Sequence, residues 1–284
     1  MKIIDQFRSH LIRLGYGKSS IKMLPSCVGD FIKFTNQPIE QVRSQDIIGY
    51  YEHLKQRPRQ RGQGGLSESY INHHIYSLKL FFAWQEQSGL IKFNPISSLS
   101  FKQPESKRRS ILSIAEVHQL YEVSESKKDK AILSLFYGCG LRRSEGERLN
   151  IKDVHFRSGL LYVRSGKGGK RRVVPMSEKV SADIKDYLEN ERSWKGEKSA
   201  LILHSRGSRM RGETYNTEVK KLVNRSGIKK QISLHSLRHS IATHLLEGGL
   251  SVEYVRSFLG HKHLESTQIY THVNKEQLWN LLNT

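Results

Sequence analysis

Eight consecutive residues, Gln103-Pro104-Glu105-Ser106-Lys107-Arg108-Arg109-Ser110, carry no aliphatic or aromatic side chain apart from one proline. A polar, Pro-marked stretch without apolar periodicity has nothing to bury and reads as a linker. It divides the 284-residue chain into a segment 1–103, a linker 104–110 and a segment 111–284. Each segment is long enough to bury a core of its own. The chain is therefore expected to fold as two domains.

Charge says what those domains meet. The sequence holds 47 Lys+Arg against 27 Asp+Glu, a formal net charge of +20. Fourteen basic and seven acidic residues lie up to Gln103, and 33 and 20 lie beyond it. The excess is spread over both folded-looking segments and is not gathered in a tail. No stretch approaches the roughly 18–20 apolar residues of a membrane span. The start, MKIIDQFRSH, lacks the apolar core of a secretory leader, so none is expected. Cys27 and Cys139 lie far apart, without CxxC or His spacing. Neither a disulfide framework nor a cysteine-based zinc site fits, and a reducing cytoplasm does. A basic chain of this kind most often meets nucleic acid. The plain alternative is a merely soluble basic protein.

Residues 1–103 read as helical. Ile71, Ile75, Leu78 and Phe82 share one helical face. Ser67 or Ser69 is placed to cap that helix, and Gly89 and Pro95 mark its exit, with Leu90–Asn94 as a short continuation. Ile47, Tyr50, Tyr51 and Leu54 indicate another amphipathic helix. Between the two, Gln56–Gly65 is rich in Gly and Arg and reads as a loop. Arg57, Arg59 and Arg61 there, with Lys107, Arg108 and Arg109 of the linker, are candidate phosphate contacts. The alternative is a solvated turn.

Beyond the linker, Ser113 and Glu116 have capping-box spacing at the start of a helix. Residues 130–150 are expected to continue helical. Leu160–Arg164 and Arg171–Pro175 then read as a β-hairpin with a basic, glycine-rich tip, Ser165–Lys170. The remainder is mostly helical again, with no tandem repeat.

Four elements carry chemistry. Arg142 and Glu145 are three apart, so on a helix they share a face; a carboxylate-held Arg is a pre-oriented fork for phosphate. Alone, such a pair is usually a surface ion pair. Lys167 sits between glycines at the hairpin tip, but no GxxxxGK[ST] pattern accompanies it. His235 and Arg238 share a helix face, with Leu237, Ile241 and Leu245 as the buried stripe. Arg stands where a zinc site would need a ligand, which speaks against a metal. His239 and His244 read as core or supporting histidines. Finally, Gly260 ends one helix before His261, and Ser266 or Thr267 starts the next, which holds Tyr270. A lone Tyr is usually packing; beside several cations it becomes a candidate nucleophile.

In this order and with these flanks, Arg142, Lys167, His235, Arg238, His261 and Tyr270 resemble the tyrosine recombinase (phage integrase) family. The resemblance covers nearly the whole chain, and Leu66–Pro95 looks like part of that family's core-binding domain. The form is similar to the short, two-domain Xer-like members, without an additional arm-binding module. The resemblance implies a mainly helical fold with a small β-sheet: a helical core-binding domain and a mixed α/β catalytic domain, clamped around double-stranded DNA in a C shape. It implies that Tyr270 attacks a phosphodiester to leave a 3′-phosphotyrosyl bond. Arg142 and Arg238 would clamp the non-bridging oxygens, His261 would add a hydrogen bond, and His235 would act as acid or base. Lys167 would protonate the departing 5′-oxygen, with Glu145 in support. Neither metal nor ATP nor any other cofactor is implied. Partners would be DNA and further copies of the chain, four in a synapse, with Lys275–Thr284 passed to a neighbour or packed in cis. The expected place is the cytoplasm, at the nucleoid. Gly146 departs from the Leu common in the family, at a cost of about 1 kcal/mol in helix propensity. Two rivals share these residues: a type IB topoisomerase-like relaxing enzyme and a non-cleaving DNA-binding regulator.

Overall fold

The computed structural model describes residues 2–59, 63–102, 110–164 and 171–260. The chain forms two compact units, Met1–Lys107 and Arg108–Thr284. In the first, α1 (Lys2–Arg13), α2 (Lys18–Thr35), α3 (Ser44–Gln56) and α4 (Glu68–Gln87) pack together. Their apolar faces meet at Phe7, Leu11, Val28, Phe31, Ile47, Tyr50, Leu54, Ile75, Leu78 and Phe82, all buried. Phe7 meets Phe81 edge-on at 5.3 Å between ring centroids, a favourable quadrupole arrangement.

Ser67 caps α4, accepting a hydrogen bond from the Tyr70 N–H at 3.2 Å, and Ser69 lies within the first turn. The expected helical continuation over Leu90–Asn94 does not form. Gly89 turns left-handed at φ +68°, which stops the ladder of helical hydrogen bonds. Asn94 then closes a turn of its own by accepting from the Ile96 N–H. The segment read as a loop from Gln56 lies between α3 and α4, starting one residue later than expected. Gln56 ends α3, and Pro58 and Gly65 form an isolated antiparallel bridge.

The second unit opens with α5 (Ile114–Glu122), whose Ser113–Glu116 capping box is fully formed. Residues 130–150 are not one helix. α6 (Lys127–Leu133) runs into a π-type turn at Ser134–Gly138, the chain breaks, and α7 (Arg143–Arg148) restarts. The break centres on Gly140 at φ +55°. A Cβ there would stand 2.8 Å from Leu259 Cδ2, so both the conformation and the space require glycine.

A three-stranded antiparallel sheet follows, in the order β1 (Val154–His155), β2 (Leu160–Val163), β3 (Arg172–Pro175). The β2–β3 hairpin is the expected one, with Leu161 opposite Val174 and Val163 opposite Arg172. β1, only two residues long, left no periodic signal. The hairpin tip 165–170 lies outside the described residues.

α8 (Glu178–Asn190), α9 (Gly212–Ser226), α10 (Leu234–Glu247) and α11 (Val252–Leu259) complete the unit. α10 is its spine. Leu237, Ile241 and Leu245 are fully buried. His244 Nε2 donates to the Leu112 carbonyl at 2.9 Å, so its Nδ1 accepts from the Tyr137 hydroxyl at 2.8 Å. Both ring nitrogens are thereby used, which makes His244 a core histidine. Cys27 and Cys139 are buried free thiols, one in each unit.

Gly146 does more than lower helix propensity. It lies on α7 where a Cβ would stand 2.4 Å from Phe136 Cζ, so its missing side chain admits the ring of the π-type turn. Gly146→Ala should therefore lose stability, by about 1–2 kcal/mol net, because overpacking outweighs the gain in helix propensity. Urea unfolding checks this; a more stable variant would show that the ring moves aside freely.

Candidate active site

The site begins at the break before α7. Arg142 is the residue preceding the helix, in an extended conformation with φ −75° and ψ 151°. It therefore does not share a helical face with Glu145, as the spacing suggested. The link is a cap: the Arg142 N–H donates to Glu145 Oε2 at 2.8 Å, and Arg142 NH1 donates to Oε1 at 2.9 Å. A carboxylate at the third helical position satisfies an otherwise orphaned N–H and favours the positive helix end. Here it also aims the guanidinium.

Two further guanidiniums arrive from distant segments. Arg172, the first residue of β3, donates from NH1 to Glu145 Oε1 at 2.6 Å. Arg238, on α10, brings NH1 to 4.0 Å from Glu145 Oε2. The Glu145 side chain has no exposure at all, and those of Arg172 and Arg238 have 7% each. Arg142, at 19%, is the most open of the three.

The same three arginines hold the end of α11. Arg172 Nε donates to the Phe258 carbonyl at 3.2 Å, Arg238 NH2 to that of Leu259, and Arg142 NH2 to that of Gly260 at 3.1 Å. Arg238 NH1 also donates to the Gly140 carbonyl. The last carbonyls of a helix have no partners within it and lie at its negative end, so cations satisfy them twice over. Gly260, at φ +66°, closes the helix, and a Cβ on it would lie 2.7 Å from Arg172 Cδ.

Electrostatics follow from this packing. Burial by itself would raise the Glu145 pKa, but Arg172 and Arg142 outweigh it and hold the carboxyl below its ordinary range. Burial, followed by the charges of Arg142 and Arg172, lowers the proton affinity of Arg238. Three guanidiniums on one carboxylate leave two positive charges in a largely dry site. An oxyanion arriving beside Arg142 would supply the missing negative charge. Donors fixed in advance stabilise charge that develops there without reorganising.

Of the residues singled out in the sequence, Arg142, Glu145 and Arg238 are brought together. His235 is exposed, on the first turn of α10, one turn before Arg238. His239 is half-buried on the same helix. Lys167, His261 and Tyr270 lie outside the described residues, although Gly260, which accepts from Arg142, directly precedes His261. In the first unit, Arg57 pairs with Asp30 at 3.2 Å, so its guanidinium is engaged within that unit. Arg59 is exposed and donates from Nε to the Gly65 carbonyl at 2.6 Å. Arg61, Lys107, Arg108 and Arg109 lie outside the described residues. Among the described residues no group of His, Cys, Asp or Glu is placed to hold a metal ion. No described helix is long and apolar enough to cross a membrane.

Arg172 is the residue that the sequence did not single out. It stands third in the basic run Lys170-Arg171-Arg172 and looks like more of the charged tip. A signal was present. Arg172 is two residues from Val174 on one strand, so it shares the buried face.

Residues 110–277 match the Phage integrase family. The tyrosine recombinase XerC of Thermodesulfovibrio yellowstonii is 32% identical over 241 residues, 79% of this chain and 76% of the relative. XerC of Oceanobacillus iheyensis is 34% identical over 173 residues, 57% of this chain and 56% of the relative. XerA of Pyrococcus horikoshii is 32% identical over 193 residues, 67% and 61% respectively. The chain thus spans between 56% and 76% of the length of these relatives. Among solved structures, that of XerA recombinase is 28% identical with a TM-score of 0.53, covering 98% of this chain and 95% of the other. A lambda integrase dimer bound to a COC′ core site is similar in fold, at 17% identity and a TM-score of 0.71, covering 95% and 93%.

The low carboxyl pKa sets a pH dependence. A carboxylate with a depressed folded-state pKa stabilises the fold above its unfolded pKa and loses that contribution as pH falls through the folded value. Glu145→Gln should cost about 3 kcal/mol at pH 7, because it strands buried guanidiniums. The difference from the parent should begin to shrink below about pH 4, the ordinary carboxyl value at which the unfolded chain takes up its proton, and should close only as pH falls through the lower folded-state value. Denaturant titrations at pH 7 and pH 3 check this; an equal difference at both would show that the charge contributes nothing.

Proposed function

The chain belongs to the phage integrase family, and we propose that it is a site-specific DNA recombinase that cleaves and rejoins strands through a 3′-phosphotyrosyl intermediate. The observation that carries the reading is the placement of Arg142 and Arg238 on one buried carboxylate, at the helix end that leads directly into His261. A phosphodiester under attack gains negative charge on its non-bridging oxygens, and a fixed cluster with two positive charges to spare is built to meet it.

The reaction then runs as follows. The Tyr270 oxygen attacks the scissile phosphorus and gives up its proton to a base. A P–O bond to tyrosine forms while the bond to the 5′-oxygen breaks. Lys167 passes a proton to that oxygen, which leaves as a hydroxyl. Arg142 and Arg238 take the non-bridging oxygens, and Glu145 holds Arg142 in place from behind. His235, exposed on α10, assists proton movement, and His261 donates to the phosphate. Rejoining reverses these steps with a 5′-hydroxyl from another strand. Because the phosphodiester energy is kept in the tyrosyl bond, no nucleotide has to be hydrolysed. The roles of Lys167, His261 and Tyr270 rest on the family resemblance and their order in the sequence.

Double-stranded DNA is the partner this reading requires. The first unit would hold the duplex, with Arg59 among its phosphate contacts. Exchange between two duplexes calls for four copies of the chain, with the tail Lys275–Thr284 joining neighbours.

Two experiments test the reading. Tyr270→Phe should retain DNA binding in a gel shift yet form no covalent adduct on a nicked suicide substrate; a surviving adduct would remove Tyr270 from the mechanism. Lys167→Ala should cleave about 10²–10⁴-fold more slowly, the range for a lost general acid. A bridging 5′-sulfur, whose thiolate leaves with little protonation, should restore most of that rate. Cleavage that stays slow on the sulfur substrate would reduce the hairpin lysine to a DNA contact.

A further inference from the structure

The carboxylate of Glu145 is shared between two arginines, and the way it is shared points to a role for a residue outside the family set. Its Oε1 accepts from both Arg142 NH1 and Arg172 NH1, and the Arg172 bond is the shorter, 2.6 Å against 2.9 Å. Its Oε2 is occupied by the Arg142 backbone N–H at 2.8 Å. A carboxylate and a guanidinium left to themselves pair side by side through two parallel N–H···O bonds. Here that closure is not made. Arg172 competes for one oxygen, and the start of α7 holds the other. Arg142 is left with a single side-chain bond to Glu145, and its NH2 turns to the Gly260 carbonyl.

We propose that Arg172 is a positioning residue for phosphoryl transfer: by occupying Glu145 Oε1 it keeps the Arg142 fork from closing on the carboxylate and leaves it open to the phosphate. Arg172 is well placed to act without touching substrate. Its side chain is 7% exposed and lies against Gly260, and its Nε holds the Phe258 carbonyl. It therefore joins β3, α7 and the end of α11 through one guanidinium. Its NH2 is buried and has no hydrogen-bond partner among the described residues. An unsatisfied buried donor costs stability, so a purely structural explanation of this arginine accounts poorly for its cost. Neutralising Glu145 without consuming Arg142 accounts for it well.

The inference rests on Arg142 being a phosphate clamp, and the test separates the two. Arg172→Lys keeps the charge but replaces the planar fork, whose Nε and NH1 reach the Phe258 carbonyl and Glu145 separately, by donors on a single nitrogen. Arg172→Met keeps the bulk and removes the charge. Each variant is taken through thermal unfolding, a gel-shift Kd, and single-turnover adduct formation on a nicked duplex. The scissile group is either the ordinary phosphate or a neutral methylphosphonate. The methylphosphonate lacks the charge that the guanidiniums neutralise, so a defect in the clamp matters less there.

Arg172→Lys should form adduct up to about 100-fold more slowly on phosphate, the scale of a catalytic group misplaced by about 1 Å. Its Kd should stay close to the parent's, and the deficit should largely vanish on methylphosphonate. An equal deficit on both substrates, or no deficit on phosphate, overturns the proposal. Arg172→Met should show the same selective relief with a larger loss on phosphate; if it does not fold, Arg172→Lys decides. Arg142→Ala is the control for the underlying reading. If it shows relief on methylphosphonate and Arg172→Lys does not, only the positioning role falls. If Arg142→Ala shows none, the clamp itself is wrong and the inference falls with it.

Discussion

One buried carboxylate organises the second unit's chemistry. Glu145 holds Arg142 and Arg172 by direct ion pairs and stands 4.0 Å from Arg238, and those three side chains come from α7's start, β3 and α10. Without that negative charge, three guanidiniums could not share so dry a space, since each would repel the others at low dielectric. With it, two positive charges remain unmatched. The charge deficit is the property that suits the site to a phosphate, and it follows directly from the ratio of arginines to carboxylates.

The same side chains make the network mechanically stiff. Each arginine also donates to one of the carbonyls of Phe258, Leu259 and Gly260. The end of α11 is thus tied to α7, β3 and α10 through side chains that are themselves tied to Glu145. Buried ion pairs contribute little net stability once their desolvation is counted. Their value here is geometric, because any movement of α11 breaks several charge-assisted bonds together. Glycines make the approach possible. Gly140 turns left-handed where Leu259 leaves no room for a Cβ, and Gly260 does so against Arg172.

Much of the fold was legible in advance. α4 and α10 carried apolar residues at helical spacing, and the β2–β3 hairpin carried its strands around a glycine-rich tip. These features depend on neighbours a few residues apart, so local periodicity shows them. Gly89 and Gly140 were harder to weigh. A glycine inside an apolar run signals a break only if the backbone there takes a positive φ, and that depends on what packs against it. Residues 130–150 accordingly read as one helix, although the chain breaks at Gly140, where Leu259 from a distant helix leaves no room for a Cβ.

The candidate site divides along the same line. The sequence by itself determined which residue types were available and in what order: Arg142, Glu145 and Arg238, with glycines beside the first and after the last helix. It pointed to the family, through an ordered set of sparse polar residues that can be read without knowing how the chain packs. Only the tertiary structure decided that Arg142 stands before its helix as part of a cap, that Arg57 is engaged with Asp30, and that Arg172 belongs to the charge network. The reason is physical. Periodicity reports which side of an element is buried, but the partner of a buried charge is chosen by packing among segments far apart in the chain. Arg172 and Glu145 met because β3 and α7 are laid against one core, and no local pattern could have announced it.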